Sequence, residues 1–118
     1  MKVLIYGASL NPQRYAYLAA NMLHQKGHEI VLVGIKKGEL LGQTIHPPEW
    51  MESDVHTVTL YVGLRNQKGL LDYLKQINPK RVIFNPGTEN QELESGLEAA
   101  GIAAVEACTL VMLQTGQF

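Results

Sequence analysis

The sequence predicts an α/β fold in three layers, a parallel sheet with helices packed on both faces. Three observations carry this. Short apolar runs recur along the chain, amphipathic helical segments fall between them, and most runs stop at or just before a glycine turn.

Val3-Leu4-Ile5-Tyr6 is an apolar run ending at Gly7, the pattern of a strand buried on both faces. The helix after it starts with Asn11 as N-cap and Pro12 at the first helical position, where a missing amide costs nothing. Tyr15, Leu18, Ala19, Met22 and Leu23 follow the spacing of one apolar helix face, and Gly27 ends it. Glu29-Ile30-Val31-Leu32-Val33 is a second strand, stopped by Gly34. Residues 36–54 are rich in glycine and proline, with at most a short strand near Thr44-Ile45.

Val55 to Val62 reads as the third strand. A helix from Asn66 follows, with Leu70, Leu71, Leu74 and Ile77 inward and Asn78-Pro79 as its stop. Arg81-Val82-Ile83-Phe84 is the fourth strand. Thr88 with Gln91 has the spacing of a capping box for a helix reaching about Ala100. Ile102 to Val105 is the fifth strand, and a short helix covers Thr109 to Leu113.

Parallel neighbours need a crossover, and the helices supply it with right-handed connections. The expected architecture is a Rossmann-like doubly wound fold, a five-stranded parallel sheet in the order 3-2-1-4-5, forming one domain over residues 1–118. A formal net charge of −1, with no basic stripe, argues against nucleic acid. The one cysteine, Cys108, forms no internal disulfide, and the first strand is too short for an export signal or membrane span. The expected compartment is the cytoplasm.

Ligands of such sheets bind beyond the carboxyl ends of the strands, where the strand order reverses. In the expected order that point falls between the first strand and Arg81–Phe84. The turn Gly7-Ala8-Ser9 is the informative one. Its glycine permits close backbone approach, Ser9 offers a hydroxyl, and the helix behind Pro12 presents amides and a positive dipole end to a phosphate. Arg14 adds a planar fork of donors. The alternative is a plain strand-to-helix turn with a solvated arginine.

The second and third glycines of G-x-G-x-x-G are absent, and the acidic residue that NAD requires after strand 2 is replaced by Gly34-Ile35-Lys36-Lys37. Two lysines suit an extra phosphate, as in NADP or the 3′-phosphate of coenzyme A, unless they are simply solvated. His24, His28, His46 and His56 show no metal-ligand spacing. Cys108 reads either as a small buried hydrophobe or as a thiol near a helix start. Trp50 reads either as an edge seal or as a stacking surface for a base. No nucleophile with its base and orienting group is visible.

At this point the chain resembles the stand-alone CoA-binding domain proteins, which are similar to the nucleotide-binding domain of the succinyl-CoA synthetase alpha subunit. Gly7-Ala8-Ser9, Pro12 and Arg14 carry the resemblance, with the basic turn at Lys36, Gly42, Asn85-Pro86-Gly87 and Asn90, and Ala100-Gly101-Ile102 before Cys108. Many relatives have Asn-Pro where this chain has Gly34-Ile35. The resemblance implies binding of coenzyme A or an acyl-CoA, with no reaction attached. The implied contacts are Gly7, Ala8, Ser9, Pro12, Arg14, Gly34, Ile35, Lys36, Lys37, Tyr61, Val62, Asn85, Pro86 and Gly87. Two other classes stay open, a small NADP-dependent oxidoreductase or redox sensor and an interaction module without a ligand.

Overall fold

The computed structural model describes residues 1–118. The strands are β1 (Lys2–Tyr6), β2 (Glu29–Val33), β3 (Glu39–Leu40), β4 (Gln43–His46), β5 (Thr57–Leu60), β6 (Arg81–Phe84) and β7 (Ala103–Glu106). The helices are α1 (Tyr15–Gln25), α2 (Leu70–Ile77), α3 (Gln91–Ala99) and α4 (Thr109–Gln114), with a 3₁₀ turn at Leu64–Asn66. No helix is long and apolar enough to cross a membrane.

The α/β doubly wound architecture is present, but the sheet has seven strands in the order β3-β4-β2-β1-β5-β6-β7, not five in the order 3-2-1-4-5. The difference lies in residues 34–56. β2 is flanked by the four-residue β4, in parallel register with Leu32 opposite Ile45 and Val33 opposite His46. The crossover between them is not a helix. It is the two-residue β3, antiparallel to β4, joined to it through Leu41 and Gly42, both with positive φ (56° and 76°). That conformation at both central residues is the one a tight hairpin with the sheet's own twist demands. β5 is displaced to the other side of β1, pairing Val3 with Thr57 and Tyr6 with Leu60. The reversal of strand order therefore lies between β1 and β5, not between β1 and Arg81–Phe84.

Alternation along the strands divides the core. Leu4, Val58, Leu60, Val82 and Phe84 pack on one face with Leu70, Leu74 and Ile77 of α2 and Leu93 and Leu97 of α3. Val3, Ile5, Ile30 and Leu32 pack on the other with Ala16, Ala20 and Leu23 of α1 and Leu113 of α4. The α1 face differs from the expected one: Ala16, Ala19, Ala20 and Leu23 are buried, whereas Tyr15 and Leu18 are exposed. Alanines let the helix lie close on the sheet, and a tyrosine or leucine in their place would hold it away.

Helix starts also shift. α1 begins at Tyr15 behind an extended Arg14, so Asn11 and Pro12 form a separate turn instead of the N-cap and first helical position. α2 begins at Leu70, not Asn66. At α3 the cap is Asn90, whose Oδ1 accepts from Leu93 N at 3.2 Å while Glu94 accepts from Asn90 N at 3.1 Å. Thr88, expected to cap this helix, is buried, and its hydroxyl donates to Asn85 O.

Candidate ligand-binding site at the strand reversal

β1 delivers Gly7 into the gap between the ends of β2 and β5. Its φ of 100° is costly for any residue with a side chain, and a Cβ there would lie 3.1 Å from the Tyr61 backbone and from Val62 Cγ1. The amides of Gly7 and Ala8 both donate to Val33 O, at 2.8 and 2.9 Å, which folds the loop over the end of β2. Gly34 answers this approach, because a Cβ on it would come within 2.7 Å of Ala8 O. Tyr61 N donates to Tyr6 O at 2.8 Å and closes the other flank.

Around this crossing, several donors remain unused. The Ser9 and Leu10 amides make no hydrogen bond within the chain, nor do those of Tyr15 and Ala16 at the start of α1. Ser9 Oγ accepts from Asn11 N at 3.1 Å, which leaves its own proton free to donate. Arg14 is exposed at the mouth of α1. Pro12 is exposed in the turn before it. The arrangement can hold an anion on backbone amides at a helix start.

The structure brings three of the predicted segments together. Gly7-Ala8-Ser9 and Gly34 touch through their backbones, and Leu10 packs on Gly38, which holds Ile35, Lys36 and Lys37 beside the loop with all three side chains exposed. Tyr61 and Val62 border Gly7 from β5, half-buried. Asn85, Pro86 and Gly87 are set apart, because β5 lies between β1 and β6 and two strand spacings are about 10 Å.

Asn85 is also committed elsewhere. Its Nδ2 donates to Thr59 Oγ1 at 2.7 Å and Leu60 O at 2.9 Å, and its Oδ1 accepts from Thr109 N at 2.8 Å. Thr59 and Thr109 share a hydrogen bond of 2.8 Å. Gln67, also buried, ties Val62 O to Thr88 O through its Nε2 and accepts from Asn90. Burial drives the Tyr61 phenol up to about 12, against the opposing pull of the Thr59 and Thr109 hydroxyls. Cys108 is the N-cap of α4 next to this network, half-buried and without a side-chain hydrogen bond to the helix.

Sequence reasoning passed over Thr59, Gln67 and Thr109. Thr57 and Thr59 stand at alternate positions of the run that reads as the third strand, which is a usable signal; Gln67 offers none locally. Tyr6 was read only as a strand end. It packs at 5.3 Å from Tyr73 and lines a groove of about 230 Å³ with Pro48, Lys68 and Gly69. A larger concavity of about 580 Å³, lined by Asp54, Asn78 and Lys80, lies away from the strand reversal. Trp50 spends one ring face on His46, stacked at 3.7 Å, and its Nε1 on Glu52.

A mostly parallel sheet that reverses its strand order beside a glycine turn, with helices on both faces, defines the Rossmann-like α/β class. Within that class the chain belongs to the CoA binding domain family, whose model matches residues 1–114. The crystal structure of an uncharacterized protein is 53% identical, with a TM-score of 0.96 over 99% of this chain and 97% of its own. A Thermus thermophilus protein, cell-free ID.343, shares 21% identity with a TM-score of 0.87, covering 99% of this chain and 90% of its own. A conserved hypothetical protein from Pyrococcus furiosus shares 26%, with a TM-score of 0.81 over 93% and 97%. No curated protein matches the chain.

Proposed function

We propose that the chain binds coenzyme A or an acyl-CoA at the β1–β5 reversal, as a carrier or sensor without a reaction of its own. Membership of the CoA binding domain family over residues 1–114 carries this reading, and the geometry supports a place for the ligand's phosphates. The diphosphate sits on the Ser9 and Leu10 amides, the Ser9 hydroxyl and the start of α1, with Arg14 as counter-charge. Lys36 and Lys37, beside the loop, take the 3′-phosphate. Pro12, Ile35, Tyr61 and Val62 supply apolar surface around them. Asn85 acts as framework for this site, because both ends of its amide are spent inside the protein.

The test is thermal melting with CoA, acetyl-CoA, NADP and ATP side by side. At 100 times its dissociation constant a ligand adds about 2.7 kcal/mol, a readily measured rise in Tm. CoA and acetyl-CoA are expected to stabilise the protein and NADP is not. Stabilisation by NADP alone would overturn the proposal in favour of a redox protein, and no response at millimolar ligand would leave an interaction module. Replacing Lys36 and Lys37 together by Ala is expected to weaken CoA more than dephospho-CoA. Equal losses for the two would remove the 3′-phosphate contact.

A further inference from the structure

At the amino ends of the strands, opposite the Gly7 loop, Arg81 opens β6 among other cationic groups. Its Nε donates to Thr57 Oγ1 at 2.9 Å, and the same hydroxyl lies 2.8 Å from His56 Nδ1. The Phe118 ring covers the guanidinium, 4.6 Å from its carbon, and meets the His28 ring edge-on with centroids 5.3 Å apart. His28 Nδ1 is 3.5 Å from the Met1 ammonium. One terminal nitrogen of Arg81, Nη2, is buried and has no partner.

No side-chain carboxylate lies within 4.0 Å of Arg81, His28 or His56. Both ion pairs of the molecule belong to Lys2, with Glu29 at 3.8 Å and Glu52 at 3.0 Å. Burial, followed by the positive charges around them, lowers the pKa of both histidines. For His28 those charges are the Met1 ammonium, Arg81 and Lys26; for His56 they are Arg81, the Met1 ammonium and Lys80. A guanidinium kept partly out of water without a counter-charge is costly, and the cost is removed by an oxyanion that accepts from its free edge.

We propose that this end of the sheet is a second binding site, for a small oxyanion of the phosphate or carboxylate type. Nη2 of Arg81 holds it once the Phe118 ring that shields the guanidinium swings aside, and His28 and His56 lie beside it. Nothing in this site is shared with the Gly7 loop, so it stands whether or not CoA binds there.

The probes are inorganic phosphate and acetate, each titrated at ionic strength held constant with chloride, while NMR follows the histidine rings. Expected is a saturable displacement of the His28 and His56 signals, a rise in their pKa values, and no movement of His46, which lies stacked on Trp50. The tighter of the two anions identifies the class. Arg81→Met is expected to weaken binding at least about tenfold, the loss of one charge-assisted hydrogen bond. Should that variant fail to fold, Phe118→Ala carries the test, because uncovering the guanidinium is expected to tighten binding severalfold. Signals that drift without saturating, or that saturate equally in Arg81→Met, would overturn the proposal. So would loss of the phosphate response in protein saturated with CoA, which would assign the anion to the Gly7 loop.

Discussion

On the β5–β6 side of the strand reversal, side chains join the carboxyl ends. Asn85, Thr59 and Thr109 spend their polar groups on one another and on the backbone, and Gln67 extends the same web to Val62 and Thr88. On the β1–β2 side the join is almost entirely backbone. Two amides share Val33 O, two glycines allow the approach, and the next amides along the loop are unspent. A buried polar web is stable only when every member is satisfied, so it has nothing to offer a ligand. A glycine crossing holds the chain with few groups and leaves donors free. The first side is framework, and the second is where a phosphate can be held.

The largest expected effect lies on the framework side. Asn85→Ala strands the Thr109 amide in the interior, leaves the Thr59 hydroxyl with Thr109 as its one partner, and should lower stability by roughly 3–5 kcal/mol, measured by urea unfolding. CoA affinity of the folded fraction should change little, and an equal loss of affinity would erase the contrast between the two sides. Gly34→Ala comes next. The added methyl meets Ala8 O, so stability should fall by about 1–3 kcal/mol, and CoA binding should weaken with it because the loop itself must shift. Unchanged affinity in the Gly34→Ala variant would detach the loop from the site.

Ser9→Ala and Arg14→Ala sharpen the comparison from the ligand side. Stability should move by less than about 0.5 kcal/mol for either, since both are spent on no core contact. Calorimetry should show CoA binding weakened by about 1 kcal/mol for Ser9 and somewhat more for the charged Arg14. Unaltered binding in both would take the phosphates away from this loop.

A further effect, confined to high pH, is in alkaline stability. The Tyr61 phenol ionises near 10 when unfolded and at about 12 when folded. Its contribution is therefore complete below pH 10 and is lost as pH rises through the 10–12 window, where the unfolded chain releases its proton first. Tyr61→Phe should flatten that part of the stability curve relative to the parent protein. A curve of unchanged slope would place the phenol in water.

Much of this was legible locally. The apolar runs at Val3–Tyr6, Glu29–Val33 and Arg81–Phe84 became strands, and Leu70, Leu74 and Ile77 became a buried helix stripe, because period and punctuation suffice for such elements. The α1 stripe was misread because hydrophobicity ranks Tyr15 and Leu18 above alanine, while close helix-to-sheet contact rewards the smaller side chain. Thr88 was misread as a cap because a threonine three residues before a glutamine has the same spacing whether it faces water or the interior.

The sequence by itself determined the class of fold, the glycine loop after the first strand, and the basic turn after the second. Each depends on residues that are neighbours along the chain. Only the tertiary structure decided that Gln43–His46 flanks β2, that β5 flanks β1, and that Asn85 belongs to the interior. Those are contacts between segments distant in sequence. A parallel neighbour can be reached through a two-residue strand as well as through a helix, and nothing local distinguishes an amide left without a partner from one that closes a core.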